Sequence, residues 1–361
     1  MTDVKTSTST IGLEHPPAEM QPLDHPHAIS SIAKDYTKRL MVFGGRSSGE
    51  LAANIAKQLD VDLGQVLLRT FSNGEVYCRY EESIRGADVF LVQSTAPNER
   101  TGMTPNDALM ELLCMADAAQ GASAHRIIAV MPWYGYARQD KKSLPREPIS
   151  ARVVAKTLEG VGVDRVLTMD LHAGQVQGFF HVPVDHMTAM PMLTQWFIDQ
   201  HFDEDLVIVS PDAGRVKVAR NFARKVGCHW AVMEKERPAQ QVAEIGYVVG
   251  EVEGKTAVLV DDMIDTAGTL CAAAKTVLEE GAARVIACAT HGVFSGPAYE
   301  RLAFESSRIE KIVVTDTVPL RPGAPENIHV LSTAQTLADS IRRIFADDSV
   351  SEIFAGENQL F

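Results

Sequence analysis

From Leu40 onward, apolar runs of four or five residues alternate with longer stretches whose apolar positions recur every three or four residues. Leu40-Met41-Val42-Phe43 predicts a buried strand. Gly44-Gly45-Arg46-Ser47-Ser48-Gly49 follows as a turn into a helix carrying Leu51, Ile55 and Leu59. Further strands are predicted over 127–131, 166–169, 206–209, 229–233, 257–260 and 285–289, and from Ile312. After 257–260 come two carboxylates, a short loop over 265–269, and a helical pattern of Leu270, Ala273, Ala274, Val277 and Leu278 that stops at Gly281. Three junctions put an arginine just before an apolar run: Arg126, Arg165 and Arg284, with Arg308 a looser fourth case. Such recurrence suggests two halves built to one βα plan. Alternating strands and helices predict parallel sheets in an α/β fold, with ligands at the carboxyl ends of the strands.

Composition narrows this little. Of 361 residues, 45% are hydrophobic and 22% charged, as in a globular protein of about two domains. No apolar run approaches the roughly 18 residues of a membrane helix, so no membrane partner is expected. The net charge of −13 argues against nucleic acid as a partner. It also requires a local basic patch or metal ions to hold any polyanionic ligand. Five scattered cysteines without a Cys-x-x-Cys pair suggest buried thiols in a reducing cytoplasm. Residues 1 to about 38, rich in Thr, Ser, Pro and His and lacking periodicity, read as a mobile tail with neither signal-peptide nor transit-peptide character.

Candidate chemistry collects at the strand ends. A strand, a tight loop and a helix N-terminus form a phosphate-binding arrangement, since the first helical N–H groups lack partners. In 258–269, Thr266 and Thr269 add hydroxyl donors and Gly268 lets the backbone come close. Asp261 and Asp262 can each accept two hydrogen bonds and so suit the vicinal diol of a ribose. After 127–131, Arg138-Gln139-Asp140-Lys141-Lys142 reads either as a solvated run or as the cationic patch a polyphosphate needs. Asp170-Leu171-His172 reads either as a capped turn or, with Asp212 from another strand end, as a partner for Mg²⁺. Glu234-Lys235-Glu236-Arg237 fits an exposed hairpin or a mobile cationic arm. Phe71-Ser72-Asn73-Gly74-Glu75 reads as a turn, and the apolar stretch 110–115 as core or subunit interface.

Together these segments resemble the ribose-phosphate pyrophosphokinase (PRPP synthetase) family, in its bacterial form. The similarity spans about 41–354. It rests on Phe71-Ser72-Asn73-Gly74-Glu75, Tyr136-Ala137-Arg138-Gln139-Asp140-Lys141-Lys142, Met169-Asp170-Leu171-His172-Ala173, Gln175-Val176-Gln177-Gly178-Phe179-Phe180, Ser210-Pro211-Asp212-Ala213-Gly214, Val260-Asp261-Asp262-Met263 and Thr290-His291-Gly292-Val293-Phe294-Ser295, in family order. The resemblance implies two type I phosphoribosyltransferase-like domains, each with a mostly parallel sheet flanked by helices. Their expected extents are 39–187 on the ATP side and 188–344 for ribose phosphate, with 345–361 packing back on the first domain. It implies a transferase that moves a diphosphoryl group from MgATP to the 1-hydroxyl of ribose 5-phosphate, giving PRPP and AMP for nucleotide biosynthesis in the cytoplasm.

Carried over residue by residue, Phe71, Asn73, Glu75, Arg138, Gln139 and Asp140 contact ATP. His172 and Asp212 place Mg²⁺ with Asp170 nearby. Lys235 and Arg237 form the catalytic arm. Asp261 and Asp262 take the ribose hydroxyls, and Asp265, Thr266, Ala267, Gly268 and Thr269 wrap the 5-phosphate. Ser83, Arg85, Arg146, Gln177, Ser349, Ser351 and Phe354 match a regulatory site for phosphate and ADP, and the family's homohexamer of dimers is expected. Three departures stand out: His181 where many members have Asp, Gly174 and His186 in place of Ser and Asn, and Ala267 where some have Gly. A methyl at 267 is tolerable unless that position needs positive φ. Two other readings are a salvage phosphoribosyltransferase, which would not need the 138–142 patch or the Lys235/Arg237 arm, and a non-catalytic regulatory paralogue, in which the catalytic motifs are typically damaged.

Overall fold

The computed structural model describes residues 38–202, 205–236 and 245–354; the expected tail lies outside them. In chain order, the first half holds β1 (Arg39–Gly44), α1 (Gly49–Leu59), β2 (Val66–Thr70), β3 (Val76–Tyr80), β4 (Ala87–Val92), α2 (Pro105–Gly121), β5 (Arg126–Met131), α3 (Ser150–Gly160), β6 (Arg165–Met169) and β7 (Val184–Met187). The second holds α4 (Met190–Asp199), β8 (Leu206–Ser210), α5 (Val216–Val226), β9 (His229–Glu236), β10 (Ile245–Val249), β11 (Thr256–Ile264), α6 (Gly268–Glu279), β12 (Arg284–Gly292), α7 (Ala298–Leu302), α8 (Phe304–Ser307), β13 (Lys311–Thr315), β14 (Ile328–Leu331) and α9 (Ala334–Phe345).

Among the described residues, β1-β4-β5-β6-β7 form one sheet and β10-β9-β8-β11-β12-β13-β14 another. Within these two sheets all pairings are parallel except β9 with β10. The strands are short apolar runs because both faces are covered. On β5 the alternation is visible: Ile128 and Val130 face a core shared by both sheets, while Ile127, Ala129 and Met131 face the outer layer with α2 and α3. The shared core also takes in Val258 and Ile286 of the second sheet and Leu337, Ile341 and Ile344 of α9. Local signals set the helix ends. Thr104 and Asp107 form a reciprocal capping box at α2, with Pro105 in its first turn, and Gly227 ends α5 in the left-handed region.

The recurring arginines are the first residues of their strands, not the residues before them. Each pairs with an acid in or just before a neighbouring strand: Arg126 with Asp88 at 2.5 Å, Arg165 with Asp185 at 2.7 Å, Arg284 with Glu310 at 2.5 Å. Asp88 is fully buried and also bonds His125. Lys38, Arg126 and Asp347 extend this network to the segment after α9, where Val350 and Ile353 pack on the shared core. The turn over 71–75 proves to be the tip of an antiparallel hairpin, β2 with β3, which the pattern of apolar positions did not announce. Met110 is exposed on α2, while Leu112, Leu113 and Met115 are buried.

The second sheet contains a switch point. From β8 the chain runs outward to β9 and β10, then returns to β11 on the other side of β8. The loops after β8 and β11 therefore diverge and leave a crevice, the usual ligand position in an open parallel sheet.

Candidate active site

Asp261 and Asp262 are not loop residues. The strand expected to stop at Val260 continues to Ile264, held by parallel pairing of Asp261 with Ala289 and of Met263 with His291 on β12. This places both carboxylates on rigid backbone at the carboxyl end of the sheet. The Asp262 N–H donates to Asp261 Oδ1 at 2.8 Å. Asp262 Oδ2 takes two further partners, His172 Nδ1 at 2.7 Å and Arg215 Nη2 at 2.6 Å. Asp262 is thus not an open acceptor: one of its oxygens is committed to a histidine from the first half and an arginine from the loop after β8. Arg215 Nε also lies 3.7 Å from Asp261.

Charge divides the pair. Burial pushes the Asp261 carboxyl up to about 8, helped by the Asp262 charge beside it. Burial acts on Asp262 too, but the His172 hydrogen bond and the Arg215 charge outweigh it and hold that carboxyl well below the usual range. The two titrate as a unit: one carboxylate is anchored as an anion, and its neighbour is the readier to hold a proton. Arg215 directly follows the Ser210–Gly214 motif and had no role in the sequence reading. Its signal there was a cation three residues past Asp212.

The loop after β11 has a left-handed residue where one was least expected. Ala267 has φ 61° and ψ 3° and caps α6. The position does need positive φ, so the methyl sits in strained backbone worth about 1 kcal/mol. The first N–H groups of α6 lack intrahelical partners, and no side chain caps them at Ala267. Thr266 and Thr269 are exposed there, and the Thr266 carbonyl accepts from Arg301 Nη1 at 2.9 Å. Asp265 reaches the opposite wall, where Arg138 Nη1 donates to its Oδ2 at 2.5 Å. The Arg138 loop follows β5 of the first sheet, so this ion pair spans the cleft. A cavity of about 410 Å³ lies beside it, lined by Thr95, Trp133, Tyr136, Arg138, Met263 and Asp265 among others.

Other expected residues fall differently. Gln139 accepts from the Ser150 hydroxyl. Asp140 is buried and accepts from Gln175, which ties the 138–142 loop to the segment after β6. Phe71 lies at the hairpin tip, edge-on to Tyr77 and under the Arg69 guanidinium, and Asn73 Oδ1 accepts from the Glu75 N–H at 3.1 Å. Among the described residues, no contact joins Phe71, Asn73 or Glu75 to Arg138 or Gln139. Lys235 lies on β9 opposite Gly246, which makes its stretch a hairpin; its side chain and the whole of Arg237 are outside the described residues.

The metal candidates are close to the acid pair but are already engaged. Asp212 Oδ1 caps the turn after β8, accepting from the N–H groups of Gly214 and Arg215. Asp170 Oδ2 accepts from Ala189 N–H and Thr290 Oγ1. Among the described residues, no three acid, histidine or cysteine groups gather as a cation cage. His181 turns away to Glu159 on α3 at 3.1 Å. His186, the other departure, is buried and accepts the Leu171 N–H on Nε2 at 2.8 Å, which fixes the Asp170 turn. Of the regulatory set, Gln177 and Ser351 line a cavity of about 150 Å³ with His186. Ser83 and Arg85 offer their carbonyls to Arg39 elsewhere, and the side chain of Phe354 is not described.

Two linked α/β halves, with an acid pair at the end of β11 and a tight turn into α6, have the fold of type I phosphoribosyltransferase-like units. Residues 40–162 match the N-terminal domain of ribose phosphate pyrophosphokinase, and residues 235–355 match the phosphoribosyl synthetase-associated domain. A ribose-phosphate pyrophosphokinase of Caldanaerobacter subterraneus is 49% identical over 88% of this chain and 99% of its own. One from Chromobacterium violaceum is 49% identical over 88% of this chain and 95% of its own. The crystal structure of phosphoribosylpyrophosphate synthetase from Mycobacterium smegmatis superposes with a TM-score of 0.79 at 46% identity, covering 86% of this chain and all of that one. The chain belongs to the ribose-phosphate pyrophosphokinase family and is an enzyme of that kind.

Proposed function

We propose that diphosphoryl transfer from ATP to the 1-hydroxyl of ribose 5-phosphate takes place in the cleft between Arg138 and Asp265. The observation that carries this reading is the meeting, at 2.5 Å, of a cation from the first sheet with the phosphate-loop acid of the second. Asp261 and Asp262 accept the ribose 2- and 3-hydroxyls. The freed N–H groups of α6 with Thr266 and Thr269 hold the 5-phosphate. Arg138 and Gln139 hold the triphosphate, and Phe71, Asn73 and Glu75 form an adenine-facing tip. The 1-hydroxyl oxygen forms a bond to the β-phosphorus as the bond from that phosphorus to the α–β bridging oxygen breaks; AMP leaves with the bridging oxygen, and the hydroxyl proton is lost. The protein's work is therefore positioning and offsetting charge.

The donor set suits a Mg²⁺ ion that keeps most of its ligands as water and phosphate oxygens. His172, Asp212 and Asp170 would hold it through their remaining atoms. Bound there, the ion neutralises triphosphate charge. Lys235 and Arg237 stabilise the negative charge that grows on the β-phosphoryl oxygens. Phosphate and ADP act at the 177/351 region, completed by a second subunit in a cytoplasmic homohexamer built from dimers.

The test is AMP formation from MgATP and ribose 5-phosphate by the purified chain, across phosphate and ADP concentrations. Lys235→Ala or Arg237→Ala should keep ATP binding while turnover falls by about 10³–10⁵. Turnover of PRPP with free bases instead would identify a salvage transferase. An effect seen only on a partner synthetase would identify a regulatory subunit. Sedimentation velocity gives the assembly.

A further inference from the structure

The turn after β6 carries His172 to the acid pair, and it is a costly turn. Asp170 has φ 35°, a region that L-residues seldom occupy and that stores about 1 kcal/mol or more. Such a residue persists only where its surroundings over-determine it. On the side of the first sheet, its N–H donates to the Met187 carbonyl at 2.9 Å and the next N–H donates to His186.

The opposing grip comes from the end of β12, in the motif Thr290-His291 that the reaction itself leaves unused. Thr290 Oγ1 donates to Asp170 Oδ2 at 2.7 Å. His291 Nε2 lies 3.1 Å from the Met169 carbonyl and 3.2 Å from that of Asp170. Carbonyl oxygens only accept, so Nε2 carries the proton. Nδ1 is then the acceptor, and the Thr317 hydroxyl supplies the donor at 2.8 Å. The Trp133 ring meets the imidazole edge-on at 4.8 Å. His291 is 1% exposed and therefore out of reach of any substrate. Its hydrogen bonds run from the second sheet across to the backbone of the first.

We propose that Thr290 and His291 are positioning residues: they clamp the Asp170 turn so that His172 meets Asp262 at 2.7 Å across the cleft. The proposal rests on the assignment of His172 and the acid pair to the transfer site. The requirement at position 291 is a single N–H donor aimed at two carbonyls. The amide of glutamine can supply it, and alanine cannot.

The experiment measures kcat, the KM values for ribose 5-phosphate and ATP, and thermal unfolding for His291→Ala, His291→Gln, Thr290→Val and His172→Ala. A misplacement of about 1 Å at a reacting centre costs on the order of 10²-fold. We expect His291→Ala to lose roughly 10–100-fold in kcat with the ribose 5-phosphate KM within about threefold, and His291→Gln to recover to within about threefold of wild type. Thr290→Val, which removes only the hydroxyl donor to Asp170, should lose about fivefold in kcat and decides the matter if His291→Ala does not fold. Packing alone would lower the unfolding temperature and leave kcat per folded enzyme unchanged, which overturns the proposal. Equal damage from alanine and glutamine overturns it too. If His172→Ala is inactive while His291→Ala and Thr290→Val are fully active, the clamp fails and the site stands. Full activity of His172→Ala defeats the site reading itself.

Discussion

Replacing Arg215 isolates the electrostatics of the acid pair. Its guanidinium lies 2.6 Å from Asp262, and the two side chains are 17% and 5% exposed. Two unit charges at such a distance attract by about 6 kcal/mol at an effective dielectric constant near 20. Removing one partner of a buried pair costs about 3–5 kcal/mol because the other charge is stranded. Here His172 remains on the same oxygen and water can enter the vacated space, so Arg215→Ala should cost about 2–3 kcal/mol, read from urea unfolding. The effect on catalysis follows from which oxygen Arg215 uses. It shares Oδ2 with His172, and in the proposed reading the acid pair takes the ribose hydroxyls. Without Arg215, Asp262 loses one of the two cationic partners that hold it as an anion, its carboxyl rises toward the usual range, and the pair offers the diol a weaker acceptor. The KM for ribose 5-phosphate should rise about tenfold, equivalent to about 1.4 kcal/mol, with the ATP KM little changed. Arg215→Lys restores the charge without the two-pronged reach and should recover part of the loss. A fall in the ribose 5-phosphate KM for Arg215→Ala would refute this account, because it would mean that the arginine competes with the sugar for the same oxygen.

Two further predictions concern the elements on either side. At Ala267 the left-handed backbone is the requirement, so Ala267→Gly should leave the ribose 5-phosphate KM within about twofold, whereas a β-branched Ala267→Val should destabilise by at least about 1–2 kcal/mol and weaken phosphate binding, both read by calorimetry. At His186, burial lowers the imidazole from 6.5 to about 4, against the pull of Asp170. The unfolded chain then binds the proton first, so this contribution is fully present above about pH 6.5 and is lost as the pH falls toward 4. Its size is roughly 3 kcal/mol at about 1.36 per pH unit. Urea midpoints between pH 7.5 and 4.5 should fall less steeply in His186→Asn than in wild type, and identical slopes would count against the buried neutral imidazole.

Much of the architecture was legible in the chain. Short apolar runs such as Leu40-Met41-Val42-Phe43 and Ala257-Val258-Leu259-Val260 marked strands because parallel strands are covered on both faces. Gly281 marked a helix end because the left-handed region lets the chain turn there at low cost. The hairpin of β2 and β3 was not legible. Its residues are only partly buried, so no strong two-residue alternation appears in Val66-Leu67-Leu68-Arg69-Thr70. The continuation of β11 through Asp261 and Asp262 was hidden for a similar reason. Two aspartates look like a loop until the partner strand β12 supplies their backbone bonds.

For the site, the sequence by itself determined which polar side chains follow each apolar run at the carboxyl side of a strand, although not where the strand itself stops. What only the tertiary structure decided is who meets whom. His172 reaches Asp262 from ninety residues away, Arg138 reaches Asp265 across the cleft, and Arg215 closes on an acid pair from the neighbouring strand end. The same holds for Asp140, whose burial against Gln175 no charge pattern could reveal, and for the left-handed backbone at Ala267. Periodicity is a local property of the chain. Pairing at the end of a sheet depends on strand order, and the placing of β11 beside β8 is settled by the packing of the whole molecule.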